Sequence, residues 1–422
     1  MMSSVLGGCA TFGKSLPTPL PPPVTDTLQN LLDETAATMQ APGMVMAVQI
    51  GNSKPWIGVT GCLDNPCTKK MKPDATFRLG SITKNFVGMA ILQQVGEGKI
   101  SLDDTLEKWL PGVIPNIDGN AITIRQLMNH TSGIESFTNS PQWIITLITD
   151  RNHLYQQPQD LLTLAGQLRA ESIAANAVLP PGSPFSYSNT HAILLGMIAA
   201  KVDGLPVTDW NKVIENRFLK PLHLKHTFIP GPGELGIGSN NHGYVNLANF
   251  VGAQNCAMAG LTCEDKLIDF TEQNVTNAAA AGSLVSNAED LLKWMHAELK
   301  GNLLSPQVRQ QQQAFIDTGL PGLQVGLSIF KQTQYGFIGH RGEIFGFNGT
   351  MQYLPSKDMT VIVLSNRTAL DGIHVGAVPE QVAAALFPDL GTTPQQLRLM
   401  QQRVFLRDPP HIKSGLGPPR SR

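Results

Sequence analysis

The sequence predicts an α/β fold in which one antiparallel sheet is built from both ends of the chain and flanked by helices, with an all-helical lobe inserted. Strand-like segments fall near both ends of the 422 residues, whereas the middle is helical and loop-like. Such strands form one sheet when the helical part between them is an insertion. The predicted α/β lobe comprises residues 25–99 and 281–388, and the helical lobe comprises residues 100–280.

Local patterns predict the elements of the α/β lobe in order. Residues 25–39 place leucines on one side of a first helix, and residues 44–61 form two strands around a turn at 51–55. Ser81 begins a central helix, and the apolar run after it predicts that this helix is buried. Further strands are predicted at 323–330, 336–340, 349–354 and 360–365, with a closing helix at 375–386.

The composition indicates a globular protein. The net charge is −1 and the body of the chain has no lysine/arginine block, which argues against nucleic acid as the main partner. At 42% hydrophobic and 15% charged residues, the chain can bury a core. No apolar run approaches the roughly 20 residues that a membrane helix needs.

The two ends of the chain carry separate signals. Cys9, within Leu6-Gly7-Gly8-Cys9-Ala10, resembles a bacterial lipoprotein processing site, where the cysteine is acylated. Residues 1–24 are therefore interpreted as a truncated lipoprotein-type leader followed by a proline-rich tether. We expect a periplasmic or cell-envelope protein with Cys9 as the site of a lipid anchor. Residues 389–422, rich in Gln, Pro and Arg, are interpreted as a loosely structured tail.

Four further cysteines lie in two local pairs. Cys62 and Cys67 bracket a turn-like segment, and Cys256 and Cys263 bracket a loop rich in small residues. Two short disulfides are expected in an oxidising compartment. Four cysteines nevertheless allow three connectivities, and four free thiols are the alternative.

The strongest indication of chemistry is Ser81-x-x-Lys84. A serine and a lysine three residues apart on a helix share one face, and a desolvated lysine can remove the serine proton without a histidine. The Ser81 N–H, at the helix start, can also stabilise an oxyanion. A second copy, Ser328-x-x-Lys331, falls in a β-like run, where residues three apart point to opposite faces, so we predict that it is inactive.

Two more polar motifs follow along the chain. Tyr187-x-Asn189 precedes an apolar helix and offers a phenol that can relay a proton and a carboxamide that can hold a substrate amide. A second Tyr-x-Asn, Tyr244-x-Asn246, has no such frame and is predicted to lie in a loop. In His340-Arg341-Gly342-Glu343, the glycine allows the strand backbone to approach a ligand, and the next N–H can be a second oxyanion donor.

These three motifs, in this order, resemble those of the serine penicillin-recognising hydrolases, which include penicillin-binding proteins, class C β-lactamases and related carboxylesterases. The resemblance spans residues 25–388 and is nearest to the D-alanyl-D-alanine carboxypeptidase-like members. It implies a β-lactamase/transpeptidase-like fold with the site in the cleft between the lobes. It also implies Ser81 as nucleophile, Lys84 as its general base, Tyr187 as proton relay to the leaving group, Asn189 as holder of the acyl amide, and His340 where many relatives have a lysine.

Two departures from the family pattern bear on the substrate. True β-lactamases of this shape usually carry Lys-Thr/Ser-Gly where this chain has His340-Arg341-Gly342, which argues against efficient β-lactam turnover. Arg341 would attract a C-terminal carboxylate, whereas Glu343 would repel one if its side chain faced the pocket. The alternative is that Arg341 and Glu343 pair with each other.

The resemblance predicts a serine hydrolase that forms an acyl-enzyme, foremost a D-alanyl-D-alanine carboxypeptidase-like peptidase on cell-wall or D-amino-acid peptides, with β-lactams as inhibitors. The alternatives are a carboxylesterase acting on short acyl esters and a penicillin-binding sensor without turnover. An aminopeptidase-like preference for free-amine substrates also stays open. No cofactor or metal is predicted, because His223-x-x-His226 has no third ligand at a suitable spacing.

Overall fold

The computed structural model describes residues 18–234, 237, 240–369 and 374–390. Cys9 and most of the predicted tail lie outside these residues. The α-helices are α1 Pro22–Met39, α2 Thr83–Gly96, α3 Leu106–Trp109, α4 Ile124–Met128, α5 Pro141–Thr149, α6 Pro158–Ala174, α7 Asn189–Val202, α8 Trp210–Ile214, α9 Leu247–Phe250, α10 Ala253–Met258, α11 Ala288–Leu299, α12 Pro306–Gln312 and α13 Val378–Leu386. The strands are β1 Gly43–Ile50, β2 Trp56–Gly61, β3 Phe77–Arg78, β4 Tyr244–Asn246, β5 Leu267–Asp269, β6 Val285–Ser286, β7 Ile316–Asp317, β8 Leu323–Val325, β9 Phe330–Gln332, β10 Phe337–Ile344, β11 Phe347–Leu354 and β12 Met359–Ser365.

One antiparallel sheet dominates the α/β lobe. Its strand order is β2-β1-β12-β11-β10-β9-β8-β7, and every neighbouring pair runs antiparallel. The two ends of the chain meet where β1 pairs with β12, with Met44 opposite Ser365 and Ile50 opposite Met359. The predicted sheet built from both chain ends is therefore confirmed.

Helices cover both faces of this sheet because its central strands are apolar on both sides. Every residue of β12 is buried, as is typical of a strand with packed elements above and below it. On one face, Leu28 of α1 and Val382 of α13 join a core cluster with the strands. On the other face, Phe86 of α2 stacks on Trp294 of α11 with ring centroids 3.8 Å apart. The catalytic candidate helix α2 is thus held between the sheet and the helical lobe.

The inserted lobe is mainly helical, and its central helix α7 is buried along most of its length. It also contains one short antiparallel pair, in which Tyr244 of β4 lies opposite Asp269 of β5. The sequence predicts a loop at Tyr244, because a strand of three residues gives too little alternation to detect. The pair is stabilised by packing: Val245 and Phe270 join a cluster with Phe345 from the β10–β11 turn.

The predicted strand at 323–330 is instead two strands, β8 and β9, joined by a turn. Ser328 lies in that turn with a positive φ of 57°, and its N–H donates to the Met128 carbonyl at 2.9 Å. The Ser328 side chain packs directly on Gly88, so that a Cβ added to Gly88 would overlap it. The Lys331 ammonium lies 5.6 Å from the ring centroid of Phe315. In this second Ser-x-x-Lys copy, a turn separates the serine from the lysine. The sequence instead predicts that both lie on one strand and point to opposite faces.

The cysteines of the two local pairs are joined in the structure, Cys62 to Cys67 and Cys256 to Cys263. The first bridge closes the turn after β2, and the second links α10 to the segment that follows it. Within the ranges described above, no helix combines the length and the apolar character needed to cross a membrane.

A buried carboxyl group joins α2, α11 and α12. Glu298 is fully buried, and its Oε1 accepts hydrogen bonds from Asn85 at 2.8 Å and from Gln312 at 2.9 Å. Its Oε2 and the Gln312 Oε1 are buried without a partner in the described part of the chain. Both atoms are acceptors, so a proton on Glu298 provides the donor that this cluster lacks. Burial accordingly raises the pKa of Glu298 to about 7, against the lowering effect of the two amides and of Arg309.

This raised pKa predicts a loss of stability in mildly alkaline solution. Because the folded protein holds the proton more tightly than the unfolded chain, the free energy of unfolding falls as the pH rises from the unfolded pKa through about 7. Glu298→Gln should therefore be more stable relative to the parent at pH 8 than at pH 4.5, by about 2–3 kcal/mol. Urea denaturation of both proteins at the two pH values measures this difference. Parallel stability–pH curves would contradict the assignment.

Candidate active site

Ser81 lies in a single 3₁₀ turn, Gly80–Ile82, that leads directly into α2. Two contacts hold the start of this turn: β3 pairs with β6, and the Leu79 N–H donates to the Leu284 carbonyl at 2.8 Å. Gly80 has a positive φ of 51°, and a Cβ there would lie 2.8 Å from the backbone nitrogen of Glu343. A glycine is needed here for both reasons. The result is a serine that remains partly exposed at the mouth of a buried helix.

The structure brings Ser81 and Lys84 together as the helical spacing predicts. The Lys84 Nζ is 2.9 Å from the Ser81 Oγ and donates a second hydrogen bond to the Ala281 carbonyl at 2.7 Å. Lys84 is only 4% exposed, so little water competes for these contacts. In its neutral form this amine is placed to accept the serine proton.

The Tyr187 and Asn189 motif lies beside this pair. The centroid of the Tyr187 ring is 5.1 Å from the Lys84 Nζ. Asn189 is the first residue of α7, and its Nδ2 donates to Thr138 Oγ1 at 2.9 Å and to Ser136 Oγ at 3.3 Å. These two hydroxyls orient the carboxamide, so that its oxygen can accept an N–H from a ligand. Neither hydroxyl could be predicted from local patterns, because Ser136 and Thr138 lie 53 and 51 residues before Asn189 in the chain.

Strand β10 lies on the opposite side of the site from Tyr187 and Asn189. One edge of β10 is not paired with a neighbouring strand of the described chain over the part that faces Ser81. β9 pairs with β10 only as far as Gly339, opposite Phe330. Beyond that point the Ser81 turn takes the place of a neighbouring strand: a Cβ on Gly342 would overlap the Leu79 carbonyl oxygen and lie 2.9 Å from the Ile82 nitrogen. This close approach brings the backbone of β10 at Gly342 and Glu343 against the backbone of the Ser81 turn, and the N–H groups of Ser81 and Glu343 remain the predicted oxyanion donors.

His340 is buried, at 2% exposure, and is uncharged. Its Nδ1 lies 2.6 Å from the Arg341 carbonyl oxygen, which can only accept, so Nδ1 carries the proton and Nε2 holds the lone pair. Nε2 is buried and has no hydrogen-bond partner within the described residues. Burial is the main cause that lowers the pKa of His340 to about 3, and the charges of Lys84 and Arg341 add to it.

Arg341 and Glu343 lie on the other face of β10, because successive residues of a strand alternate. The Glu343 carboxylate accepts a hydrogen bond from the Ala369 N–H at 2.6 Å. The Arg341 side chain lies against Gly376, where an added Cβ would be 3.2 Å from its Nη1. The expectations that Arg341 offers its cation to a substrate, and that the Glu343 side chain faces the pocket, are therefore corrected; only the Glu343 backbone faces the Ser81 turn.

His374, which the sequence did not indicate as a functional residue, packs against β10 on the face that carries Arg341. The His374 Nδ1 accepts the Gly376 N–H at 2.9 Å. Burial and the nearby Arg341 charge lower the pKa of His374 to about 3, so the ring is neutral. No group of three or more His, Cys, Asp or Glu side chains in the described ranges is arranged to hold a metal ion.

A family model described as Beta-lactamase matches residues 28–385 of this chain. The chain belongs to the beta-lactamase family. The match covers nearly the same span as the resemblance noted from the motifs, which is thereby confirmed. The Ser81–Lys84 pair lies within the matched residues.

Curated relatives of this family member include the protein flp of Staphylococcus aureus, which is 26% identical over 302 residues, covering 70% of this chain and 54% of flp. Penicillin-binding protein 4* of Bacillus subtilis is 26% identical over 211 residues, covering 47% of this chain and 44% of that protein. The chain thus spans about half the length of the curated relatives it matches.

Solved structures resemble the chain over most of its length. A D-stereospecific amidohydrolase from Streptomyces sp. has a TM-score of 0.70 at 29% identity, covering 86% of this chain and 99% of that one. A penicillin-binding protein homologue from Pyrococcus abyssi has a TM-score of 0.67 at 24% identity, covering 88% and 78%. The second likeness shows the fold alone. Both agree with the α/β architecture predicted from the sequence.

Proposed function

We propose that this chain is a serine hydrolase that cleaves amides of D-amino acids through an acyl-enzyme on Ser81. In the proposed reaction, neutral Lys84 accepts the Ser81 proton while the Oγ attacks the substrate carbonyl. The N–H groups of Ser81 and Glu343 stabilise the oxyanion. Tyr187 passes a proton to the leaving nitrogen, which departs as ammonia or a small amine, and water then releases the D-amino acid.

The state of His340 is the observation that carries this proposal. A buried imidazole with a lone pair on Nε2 accepts a hydrogen bond from the N–H of a carboxamide but repels a carboxylate. The neighbouring cation that could attract a carboxylate, Arg341, lies behind the strand. The third motif therefore favours an uncharged group on the leaving side of the substrate. The likeness to a D-stereospecific amidohydrolase supports the D configuration.

The D-alanyl-D-alanine carboxypeptidase-like peptidase expected from the sequence is the second candidate. It is favoured by the similarity to penicillin-binding protein 4* and uses the same Ser81–Lys84 pair. A carboxylesterase would share these groups as well. The three activities differ in the leaving group, so substrate comparison separates them.

The test is the kcat/KM of the purified protein for D-phenylalanine amide, L-phenylalanine amide, an N-acyl-D-alanyl-D-alanine peptide and p-nitrophenyl acetate. We expect the D-amide to exceed the L-amide and the carboxylate-ended peptide by about tenfold or more, a difference of about 1.4 kcal/mol in transition-state binding. If the carboxylate-ended peptide is the best substrate, the second candidate is correct. If only the ester is turned over, the protein is an esterase.

His340→Lys and His340→Gln form a matched pair for this test. The lysine restores the cation that many relatives carry and should shift the ratio of kcat/KM values about tenfold toward the carboxylate-ended peptide. The glutamine is neutral and should leave that ratio close to the parent value. Equal ratios of kcat/KM in the parent and both variants would show that His340 does not determine the preference between amide and carboxylate-ended substrates.

A further inference from the structure

Two buried histidines next to the site have no part in the proposed reaction. His130 lies in the turn after α4, and His191 lies in the first turn of α7. Their Nδ1 atoms are 2.9 Å apart, and the His191 Nε2 is 2.7 Å from the Ser132 Oγ. The three side chains therefore form one continuous hydrogen-bonded chain, Ser132–His191–His130, and all three are buried.

The direction of this chain follows from one backbone group. The buried Ser188 N–H donates to the His130 Nδ1 at 3.2 Å, so that nitrogen is an acceptor and carries no proton. The His191 Nδ1 must then donate to His130, which leaves the His191 Nε2 to accept from the Ser132 hydroxyl. One tautomer of each ring satisfies every contact, and it places the proton of His130 on Nε2.

The end of this chain lies against the proton relay of the site. The rings of His130 and Tyr187 have centroids 4.4 Å apart and are tilted by 30°. Lys84 also lies beside the Tyr187 ring, with its Nζ 5.1 Å from the ring centroid. His130 thus forms a platform for the phenol on which the proposed proton transfer depends.

The backbone of His130 is strained to hold this position. Its φ is +60°, in the left-handed region that costs a non-glycine residue about 1–2 kcal/mol. The Ser186 N–H fixes the conformation by donating to the His130 carbonyl at 2.8 Å. Strain of this kind persists where the surrounding structure over-determines a residue, often at a functional site.

Both imidazoles are uncharged, as a platform beside a lysine requires. Burial lowers the pKa of His191 to about 3, and Lys84 adds to that effect. Burial also lowers the pKa of His130 well below its usual value, and electrostatic interactions with His191, Lys84 and His340 act in the same direction. A neutral ring can stack on Tyr187 without repelling the ammonium form of Lys84.

We propose that the Ser132–His191–His130 chain positions Tyr187: it fixes the plane of the His130 ring and, through ring stacking, the location of the phenol between Lys84 and the leaving group. His130 and His191 are positioning residues in this proposal, since neither touches the reacting atoms. The proposal rests on the role of Tyr187 in the proposed function but is independent of the substrate class.

His191→Asn and His191→Leu test the chain. The Asn Nδ2 occupies nearly the place of the imidazole Nδ1–H and keeps the donor to His130, whereas leucine fills similar space without a donor. We expect His191→Asn to retain kcat within about threefold, and His191→Leu to lose about 10–30-fold in kcat with little change in KM, because a misplaced proton relay weakens general acid catalysis. Equal losses in the two variants, matched by equal losses of thermal stability, would show a merely structural role and overturn the proposal.

A double-mutant cycle with Tyr187→Phe provides a readout that packing alone does not move. If His191 acts through Tyr187, His191→Leu should cost little further kcat in the Tyr187→Phe background. An undiminished second loss there, or parental kcat in Tyr187→Phe alone, would overturn the positioning role. The ratio of kcat/KM for the amide to kcat/KM for the carboxylate-ended substrate should be unchanged in all these variants. The positioning role can therefore be wrong while the proposed substrate class is right, and the substrate class can be wrong while the positioning role is right.

His130→Asn covers the case in which the His191 variants do not fold. Asparagine tolerates a positive φ, so it retains the turn at +60° while removing the ring that stacks on Tyr187. We expect the same loss of kcat as for His191→Leu, again with little change in KM. Parental kcat in a folded His130→Asn protein would overturn the proposal.

Discussion

Replacing Lys84 with alanine is expected to slow acylation of Ser81 by about 10⁴-fold, at the upper end of what a general base contributes. The Lys84 Nζ is 2.9 Å from the serine Oγ and is held there by the Ala281 carbonyl at 2.7 Å. Without this amine the serine keeps its proton and is a weak nucleophile. Intact-protein mass measured over time after adding benzylpenicillin, together with the burst phase with p-nitrophenyl acetate, follows the acyl-enzyme directly.

Lys84→Arg and Ser81→Ala are the controls for this prediction. Arginine keeps the positive charge but does not lose its proton, so Lys84→Arg should acylate as slowly as Lys84→Ala. Ser81→Ala should give no covalent adduct at all. Acylation of Lys84→Ala at the parental rate, or of Lys84→Arg at a tenth of that rate or faster, would show that another group is the base.

The benzylpenicillin experiment also separates the remaining expectations for β-lactams. A stable adduct on Ser81 would indicate a penicillin-binding peptidase or sensor, and a transient adduct with release of hydrolysed drug would indicate β-lactamase turnover. No adduct, while the ester is still cleaved, would leave β-lactams outside the range of ligands. Because His340 stands where true β-lactamases usually have lysine, we expect drug turnover to be slow relative to acylation.

The parts of the site that the sequence predicts are those encoded by local spacing. Ser81 and Lys84 meet because three residues of helix separate them, and the apolar residues after them already indicate a buried helix. The strand pair at the start of the lobe is equally local, since a short turn joins β1 to β2. These predictions needed no knowledge of which distant segments pack together.

The orientation of Arg341 and Glu343 is not a local property. Every second residue of a strand faces the same side, but which set faces the site depends on the register. β10 is buried on most of both faces, so its hydrophobic pattern gives no preferred side. Only the contact of Gly342 with the Ser81 turn decides that His340 faces Lys84 and that its two neighbours face away.

Contacts between distant segments account for the rest. Lys84 is anchored by a carbonyl 197 residues further along the chain. His191 gave no signal because it lies within an apolar helix, where a single histidine is usually a satisfied core residue. Its value as a positioning candidate depends on contacts with Ser132 and His130, which lie 59 and 61 residues before it in the chain.

Gly342→Ala is expected to lower kcat by about 10²–10³-fold, the loss that follows removal of one oxyanion donor. The new Cβ would overlap the Leu79 carbonyl oxygen and lie 2.9 Å from the Ile82 nitrogen, and both are backbone atoms that cannot rotate away. β10 must then move away from the Ser81 turn, which separates the N–H of Glu343 from that of Ser81. The same overlap should lower the free energy of unfolding by about 1–3 kcal/mol.

Gly96→Ala is the matched control for this last prediction, because it adds the same methyl group at the far end of the helix that follows Ser81. Its Cβ would meet only a methyl group of Val308 at 3.7 Å, an ordinary contact. Gly96→Ala should therefore keep parental kcat and equal or greater stability. Both variants are compared by kcat and urea denaturation at a temperature where both are folded. If a folded Gly342→Ala protein keeps parental kcat, the Glu343 N–H is not an oxyanion donor and the close approach of β10 to the Ser81 turn is only a packing feature.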